Sequence, residues 1–403
     1  ILDPKARSVT EDMKNGKIAV GTRSGDLVEF QNDNAQVVLR GHYHDELWGL
    51  AIHPTKSEFI TFGEDSMLAI WDVTSRKQLR VVRTEFAGKA VAISPNGNLI
   101  AVGFNNGQVG VYDASTLAQK TLRKDRKKEI SVLKFSPNNQ WLAVGAHDGQ
   151  IYVYDVKTNF KITHRFKSHH STITHLDYSE DSEVLQSNCT SYELLYHSTK
   201  TGKQETSGAT KNKDERWASW TCVLGWPVQG IFAPGTDGTD VNACDRSPSG
   251  DIIAIADDFG KARLFKYPCA QKSAGSNEYR GHSSHVTNIR FLSNNKYVIS
   301  TGGNDKAIFQ WKLQYDREAE QESLSANNID AKNIEMEADN EINKFSMFEE
   351  EEMGEGDQFM AVKPYKGDVD ASWPVGFKAD KNGNKAPNGN LTLKHVLGYR
   401  CFD

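Results

Sequence analysis

The sequence predicts an all-β protein built as a seven-bladed β-propeller, and three observations carry that prediction. First, residues 281–312 hold three short apolar alternations, at Val286–Phe291, 297–300 and 307–311, separated by Asn- and Gly-rich turns. Alternation of this kind marks half-buried antiparallel strands joined by hairpins. Second, the module recurs at 41–72. A Gly-His pair precedes the first strand in both, and His42 and His282 each stand 29 residues before a tryptophan, Trp71 and Trp311. Third, the aromatic that ends each third strand recurs at Phe30, Trp71, Tyr112, Tyr154, Tyr196, Phe265 and Trp311. The intervals are 41, 41, 42, 42, 69 and 46 residues, and five of the six lie near the ~40–45 residues of a four-stranded WD40-type blade.

The long interval is filled by 201–240, rich in Gly, Thr, Asp and Trp, which reads as an irregular excursion before Val241 resumes the strand pattern. In the two best-formed blades a hydroxyl lies ten positions before the tryptophan (Thr61, Thr301) and an aspartate six positions before it (Asp65, Asp305). With His42 or His282 in the preceding loop, four side chains can satisfy one another as a buried relay of hydroxyl, imidazole, carboxylate and indole. Such histidines are structural rather than catalytic. Other blades keep only part of it: Tyr154 has Asp148 but Val144 in the hydroxyl position, and Tyr196 has Thr190 where the acid belongs.

The seventh blade has three strands before Gln314, and an open edge invites aggregation. Either residues 313–315 continue into its fourth strand or residues upstream of Ile1 supply it, and the upstream source is favoured because the acidic sequence after Tyr315 forms strands poorly. The chain begins at Ile1 rather than Met and reads as a piece of a longer polypeptide.

Charge is unevenly spread. The net charge is −5, yet residues 313–357 carry 15 acidic against 3 basic residues, which leaves the remainder near +7. Residues 314–357 therefore read as an acidic linker, partly helical or disordered, with Phe345, Met347 and Phe348 as an apolar island. The five cysteines (Cys189, Cys222, Cys244, Cys269, Cys401) form no CxxC pair and show no metal-ligand spacing, which suits buried thiols in a reducing compartment. No apolar run reaches ~20 residues, so no membrane span is expected.

At TDGTDVNACDRSPSGDIIAIADDFGKARLFKYPC, followed by GHSSHVTNIRFLSNNKYVISTGGNDKAIFQWKL, the chain resembles the end of the tandem propeller domain of the echinoderm microtubule-associated protein-like family. SVLKFSPNNQWLAVGAHDGQIYVYD and SWTCVLGW are similar to that family's second propeller. The resemblance covers residues 1–313. The terminal LTLKHVLGYRCFD is similar to the opening of the hydrophobic (HELP) motif that starts the family's first propeller, with Cys401 in place of the usual Gly. The resemblance thus implies the second propeller of a tandem pair (1–313), a linker, and the truncated start of another unit (358–403). It also implies tubulin, microtubule-bound proteins and adjacent propellers of the same chain as partners, in the cytoplasmic cytoskeleton and in a ciliary axoneme.

The candidate partner site is KTLRKDRKKE, residues 120–129, where Lys120, Arg123, Lys124, Arg126, Lys127 and Lys128 outnumber Asp125 and Glu129. It falls in a fourth strand and the following loop, on the face of the relay histidines, where acidic tubulin would be attracted. A solvated loop is the alternative. Nucleic acid fits poorly, since aromatics are not interleaved. Asp237 and Asp240 in GTDGTD lack the spacing of a calcium loop and read as turn residues, so no metal or cofactor is expected. Trp217, Trp220 and Trp226 are expected between the insertion and the propeller rim, with exposed aromatics that anchor a partner as the alternative. No phosphate loop, GxSxG or HExxH is present, so the chain is not read as an enzyme. A soluble scaffold recruiting signalling or ubiquitin-transfer partners is the rival function, since propellers host unrelated activities.

Overall fold

In a computed structural model of the chain, residues 5–315 are described apart from 33, 233–234, 237 and 273, together with the backbone of strand Leu391–Tyr399. The expected linker and most of the region beyond it lie outside the described residues.

The described residues form an all-β propeller with seven four-stranded antiparallel sheets, each a meander in chain order. Blade one is β1 (Ala6–Asp12), β2 (Lys17–Thr22), β3 (Asp26–Gln31) and β4 (Asn34–Arg40). Blade two is β5 (Leu47–Ile52), β6 (Glu58–Gly63), β7 (Met67–Asp72) and β8 (Gln78–Arg83). Blade three is β9 (Gly88–Ile93), β10 (Leu99–Phe104), β11 (Val109–Asp113) and β12 (Gln119–Arg123). Blade four is β13 (Ile130–Phe135), β14 (Trp141–Ala146), β15 (Ile151–Asp155) and β16 (Lys161–Phe166). Blade five is β17 (Ile173–Tyr178), β18 (Val184–Cys189), β19 (Leu194–Ser198) and β20 (Lys203–Gln204). Blade six is β21 (Val241–Arg246), β22 (Ile252–Asp257), β23 (Lys261–Lys266) and β24 (Asn277–Arg280). Blade seven is β25 (Val286–Phe291), β26 (Tyr297–Gly302), β27 (Ile308–Tyr315) and β28 (Leu391–Tyr399).

Second strands such as LIAVGF in β10 and WLAVGA in β14 are apolar on both faces because a neighbouring blade covers each side. The core is therefore a set of clusters between blades, such as Ile60, Phe62, Leu68 and Ile70 of blade two against Val91, Ile100, Val102 and Phe104 of blade three. A register shift follows the first residue of β5, β13, β17, β21 and β25. Each such bulge sharpens the local bend of a strand that lines the central channel.

Blade seven meets blade two directly. Thr287 Oγ1 donates to the Leu47 carbonyl at 2.5 Å, Asn288 Nδ2 to the Trp48 carbonyl at 2.9 Å, and the rings of Trp48 and His285 lie 5.9 Å apart. Blade one stands beside this junction. Its β1 is exposed along almost its whole length, whereas the first strands of the other blades are mostly buried. Its attachment runs through Leu39, buried with Phe59 and Trp71, and through Gln78, which bonds the backbone of Arg40.

The channel of about 330 Å³ is lined by β5, β9, β13, β17, β21 and β25 and by the segment 221–224. That segment belongs to the insertion, which carries a four-residue helix α1 (Gly208–Lys211) and a 3-10 turn at Trp226–Ile231. The insertion wedges between blades five and six: Ala218 N–H donates to the Tyr178 carbonyl, and Arg246 N–H to the Trp220 carbonyl. Trp217 and Trp220 are buried there, while Trp226 is exposed.

The closing strand differs from expectation. It comes from downstream, where β28 pairs with β27 from Ile308↔Tyr399 to Tyr315↔Leu391. The acidic residues after Tyr315 are poor strand formers, but the chain returns with LTLKHVLGY, whose Leu, Thr, Val and Tyr suit an outer strand.

Candidate functional site: buried relays and the loop face

In blade two the loop before β5 brings His42 against the β6–β7 hairpin. Trp71 Nε1 donates to Thr61 Oγ1 at 2.8 Å, Thr61 lies 2.9 Å from His42 Nε2, and His42 Nδ1 lies 2.9 Å from Asp65 Oδ2. The backbone N–H groups of Tyr43 and Met67 also donate to Asp65, at 3.1 and 3.0 Å. All four side chains are buried. Each proton points the same way, from indole to hydroxyl to imidazole to carboxylate, which places the imidazole proton on Nδ1.

Blade seven repeats this with one change of residue. His282 Nδ1 lies 3.2 Å from Asp305, but its Nε2 meets Ser300 Oγ at 2.8 Å, and Trp311 Nε1 donates to that same oxygen at 2.8 Å. Thr301 points elsewhere, to Thr287 Oγ1 at 3.0 Å. Ser300 opposes Phe309 across the hairpin as Thr61 opposes Ala69, because the blade-seven turn is one residue longer. The hydroxyl thus lies eleven rather than ten residues before the tryptophan. Burial works against ionisation of Asp305, yet His282 beside it brings its carboxyl below the usual range.

A third relay occupies blade five, where the aromatic spacing concealed it. His169 Nε2 lies 2.7 Å from Ser187 Oγ, His169 Nδ1 lies 3.1 Å from Glu193 Oε2, and His197 Nε2 takes the indole's place 3.1 Å from Ser187. Burial pushes the His169 and His197 imidazoles down, His197 to about 3. This has the makeup of a Ser-His-Glu triad, but Ser187 and His197 are wholly buried. Such an array braces a hairpin against the preceding loop. The signal was in the sequence: Ser187 stands ten residues before His197, not before Tyr196.

In blade four Arg126 replaces the histidine. Its guanidinium lies 3.7 Å from the Tyr152 ring centroid and donates to the Tyr154 hydroxyl at 2.5 Å. Arg126 is buried, so it is not a surface contact. Lys120 pairs with Asp113 at 2.8 Å and Arg123 with Asp125 at 3.2 Å. Lys124, Lys127 and Lys128 remain as exposed cations on the loop face. Arg126→Ala is accordingly expected to lower stability by about 2 kcal/mol through the lost stacking and hydrogen bond. Lys124→Ala should stay within about 0.5 kcal/mol of the parent. Urea unfolding of both variants checks the contrast, and equal effects would return Arg126 to the surface set.

Meandering four-stranded sheets around a channel, with histidine relays joining loop to hairpin, define a WD-type β-propeller. The family description "Echinoderm microtubule-associated protein second beta-propeller" matches residues 47–313. The chain belongs to the echinoderm microtubule-associated protein-like family. It is 38% identical over 313 residues to human echinoderm microtubule-associated protein-like 3, covering 76% of this chain and 34% of that protein. Human echinoderm microtubule-associated protein-like 1 is 40% identical over 296 residues, 73% of this chain and 35% of the relative. Human echinoderm microtubule-associated protein-like 2 is 40% identical over 311 residues, 76% of this chain and 48% of the relative. The chain thus spans a third to a half of the length of these relatives.

Proposed function

We propose that the chain is a non-catalytic propeller module of a microtubule-associated protein, acting in the cytoplasmic cytoskeleton and binding tubulin or proteins on the assembled lattice. The match to this family over 47–313 carries the reading. The loop face supplies the chemistry through Lys124, Lys127 and Lys128, and tubulin's acidic surface is the complementary partner. Blade one, with Val9, Met13, Ile18 and Phe30 exposed, serves the contact with an adjacent propeller of the same polypeptide, and LTLKHVLGY opens the next unit while closing this one. An axonemal setting is part of the same proposal. Among the described residues no helix is long and apolar enough to cross a membrane.

Pelleting with assembled microtubules tests this. The chain is expected in the pellet at low salt and to leave it as ionic strength passes the physiological value, where charge is screened over ~8 Å. Reversing Lys124, Lys127 and Lys128 to Glu should move it to the supernatant. Equal pelleting of both proteins would place the contact elsewhere on the ring. Failure of the parent at every salt concentration favours the scaffold function instead.

A further inference from the structure

Blade five departs from its sister relays at three matched positions, and the departures converge on one point. The residue two after the relay hydroxyl is Gly63 in blade two and Gly302 in blade seven, but Cys189 in blade five. A Cβ on Gly63 would stand 2.9 Å from Asp65 Oδ1 and 3.1 Å from His42 Nδ1, so this position aims at the histidine–acid pair. Blade five puts a thiol there. The residue after the relay histidine is Tyr43 or Ser283 in the sisters and His170 here. The acid is Glu193, placed four residues before the third-strand ring and longer by one methylene.

As a result, Cys189 Sγ lies 3.1 Å from Glu193 Oε2, His169 Nδ1 lies 3.1 Å from the same oxygen, and His170 Nδ1 lies 2.5 Å from Oε1. The donor atoms of His169, Cys189 and Glu193 all fall within 4.8 Å of one another, and no other such group occurs among the described residues. We propose that His169, His170, Cys189 and Glu193 form a binding site for a borderline-soft divalent cation, Zn²⁺ foremost. Two imidazoles, a thiolate and a carboxylate are a zinc donor set with bonds of about 2.0–2.3 Å. The donor atoms of His169, Cys189 and Glu193 already stand within 4.8 Å of one another, and the exposed His170 side chain turns in from Glu193 Oε1 to complete the set. Ser187 Oγ, 2.7 Å from His169 Nε2, supplies the outer partner that holds the ring with Nδ1 toward the cation.

On binding, the His169 proton moves from Nδ1 to Nε2 and is donated to Ser187, whose hydroxyl turns to the Leu195 carbonyl, 3.4 Å away, while His197 Nε2 keeps donating to Ser187 Oγ. His170 carries its proton on Nε2, which faces solvent, since its side chain is 81% exposed. Cys189 gives up its proton to solvent, so uptake releases one proton and strengthens as pH rises. The cation would clasp the loop before β17 to the β18–β19 turn on the loop face. This site is independent of the microtubule reading.

The test adds Co²⁺ alone to the chelator-stripped, reduced full chain. A thiolate-to-cobalt charge-transfer band saturating at one equivalent, displaced by Zn²⁺, is the expected result. Cys189→Gly, which installs the sister blades' residue, should abolish the band. His170→Ala, at an exposed side chain, should keep the fold by circular dichroism and weaken binding at least about tenfold. A folded parent without the band overturns the proposal. So does a band that survives Cys189→Gly, or an affinity unchanged in His170→Ala.

Discussion

Asp65→Ala is expected to destabilise the protein by about 3–5 kcal/mol, the cost of leaving several buried donors without an acceptor. The carboxylate accepts from His42 Nδ1, Tyr43 N and Met67 N, all in a relay whose side chains are shielded from water. Its loss orphans three donors, and no solvent replaces it. Trp71→Phe removes one indole N–H from Thr61 and keeps the ring's bulk, so about 1 kcal/mol is expected from the hydrogen bond alone, with a packing loss added. The register in blade seven gives a sharper contrast. Ser300→Ala leaves both His282 Nε2 and Trp311 Nε1 unpaired and should cost about 2–3 kcal/mol. Thr301→Val costs less, because Thr287 keeps the Leu47 carbonyl as its acceptor. Urea unfolding followed by tryptophan fluorescence reads all four variants. A loss under about 1 kcal/mol for Asp65→Ala would mean that the relay braces nothing.

The relay was legible where local spacing alone determined it. In blade two the turn between β6 and β7 has the length that the ten- and six-residue offsets assume, so His42, Thr61, Asp65 and Trp71 all meet. In blade seven one more turn residue moves the hydroxyl from Thr301 to Ser300. Strand side chains alternate faces, so a slip of one position chooses the opposite side. The same slip hid blade five, where Tyr196 looked like the ring but faces the insertion, 6.1 Å from Trp217. Arg126 was read as one member of a charge run because composition does not show burial. The cue was that its loop has no histidine while Val144 fills the hydroxyl position. The insertion's two buried tryptophans followed from the need to cover large apolar rings. By contrast, the β28–β27 pairing and the meeting of β25 with β5 are contacts between distant parts of the chain, and no local pattern encodes them.

Acidification supplies the second large effect. Burial pushes His197 to about 3 and His175 to about 4, and it lowers His169. Arg290 and Lys134 add to the shift at His175. These imidazoles stay neutral in the fold but take up protons near pH 6.5 once unfolded. The unfolded state therefore binds more protons below about pH 6.5, and stability falls as pH drops through that value. At pH 5 each of His197 and His175 is expected to cost about 2 kcal/mol relative to pH 7. Asp245 acts in the opposite sense. Burial raises it to about 6, so below that pH the fold binds its proton more readily than the unfolded chain does. That offsets about 1.4 kcal/mol at pH 5, leaving a net loss of about 2–3 kcal/mol. Glu193, opposed by burial but held down to about 2 by hydrogen bonds from Cys189, His170 and His169, adds its own loss only below about pH 4.5. Urea midpoints at pH 7 and pH 5 measure the sum. His197→Gln keeps an amide N–H for Ser187 and removes one titration, so its pH dependence should shrink toward zero as the Asp245 gain cancels what His175 loses. An unchanged slope in that variant would show that protonation of His197 does not limit the fold, and would move the acid sensitivity to the channel at His175.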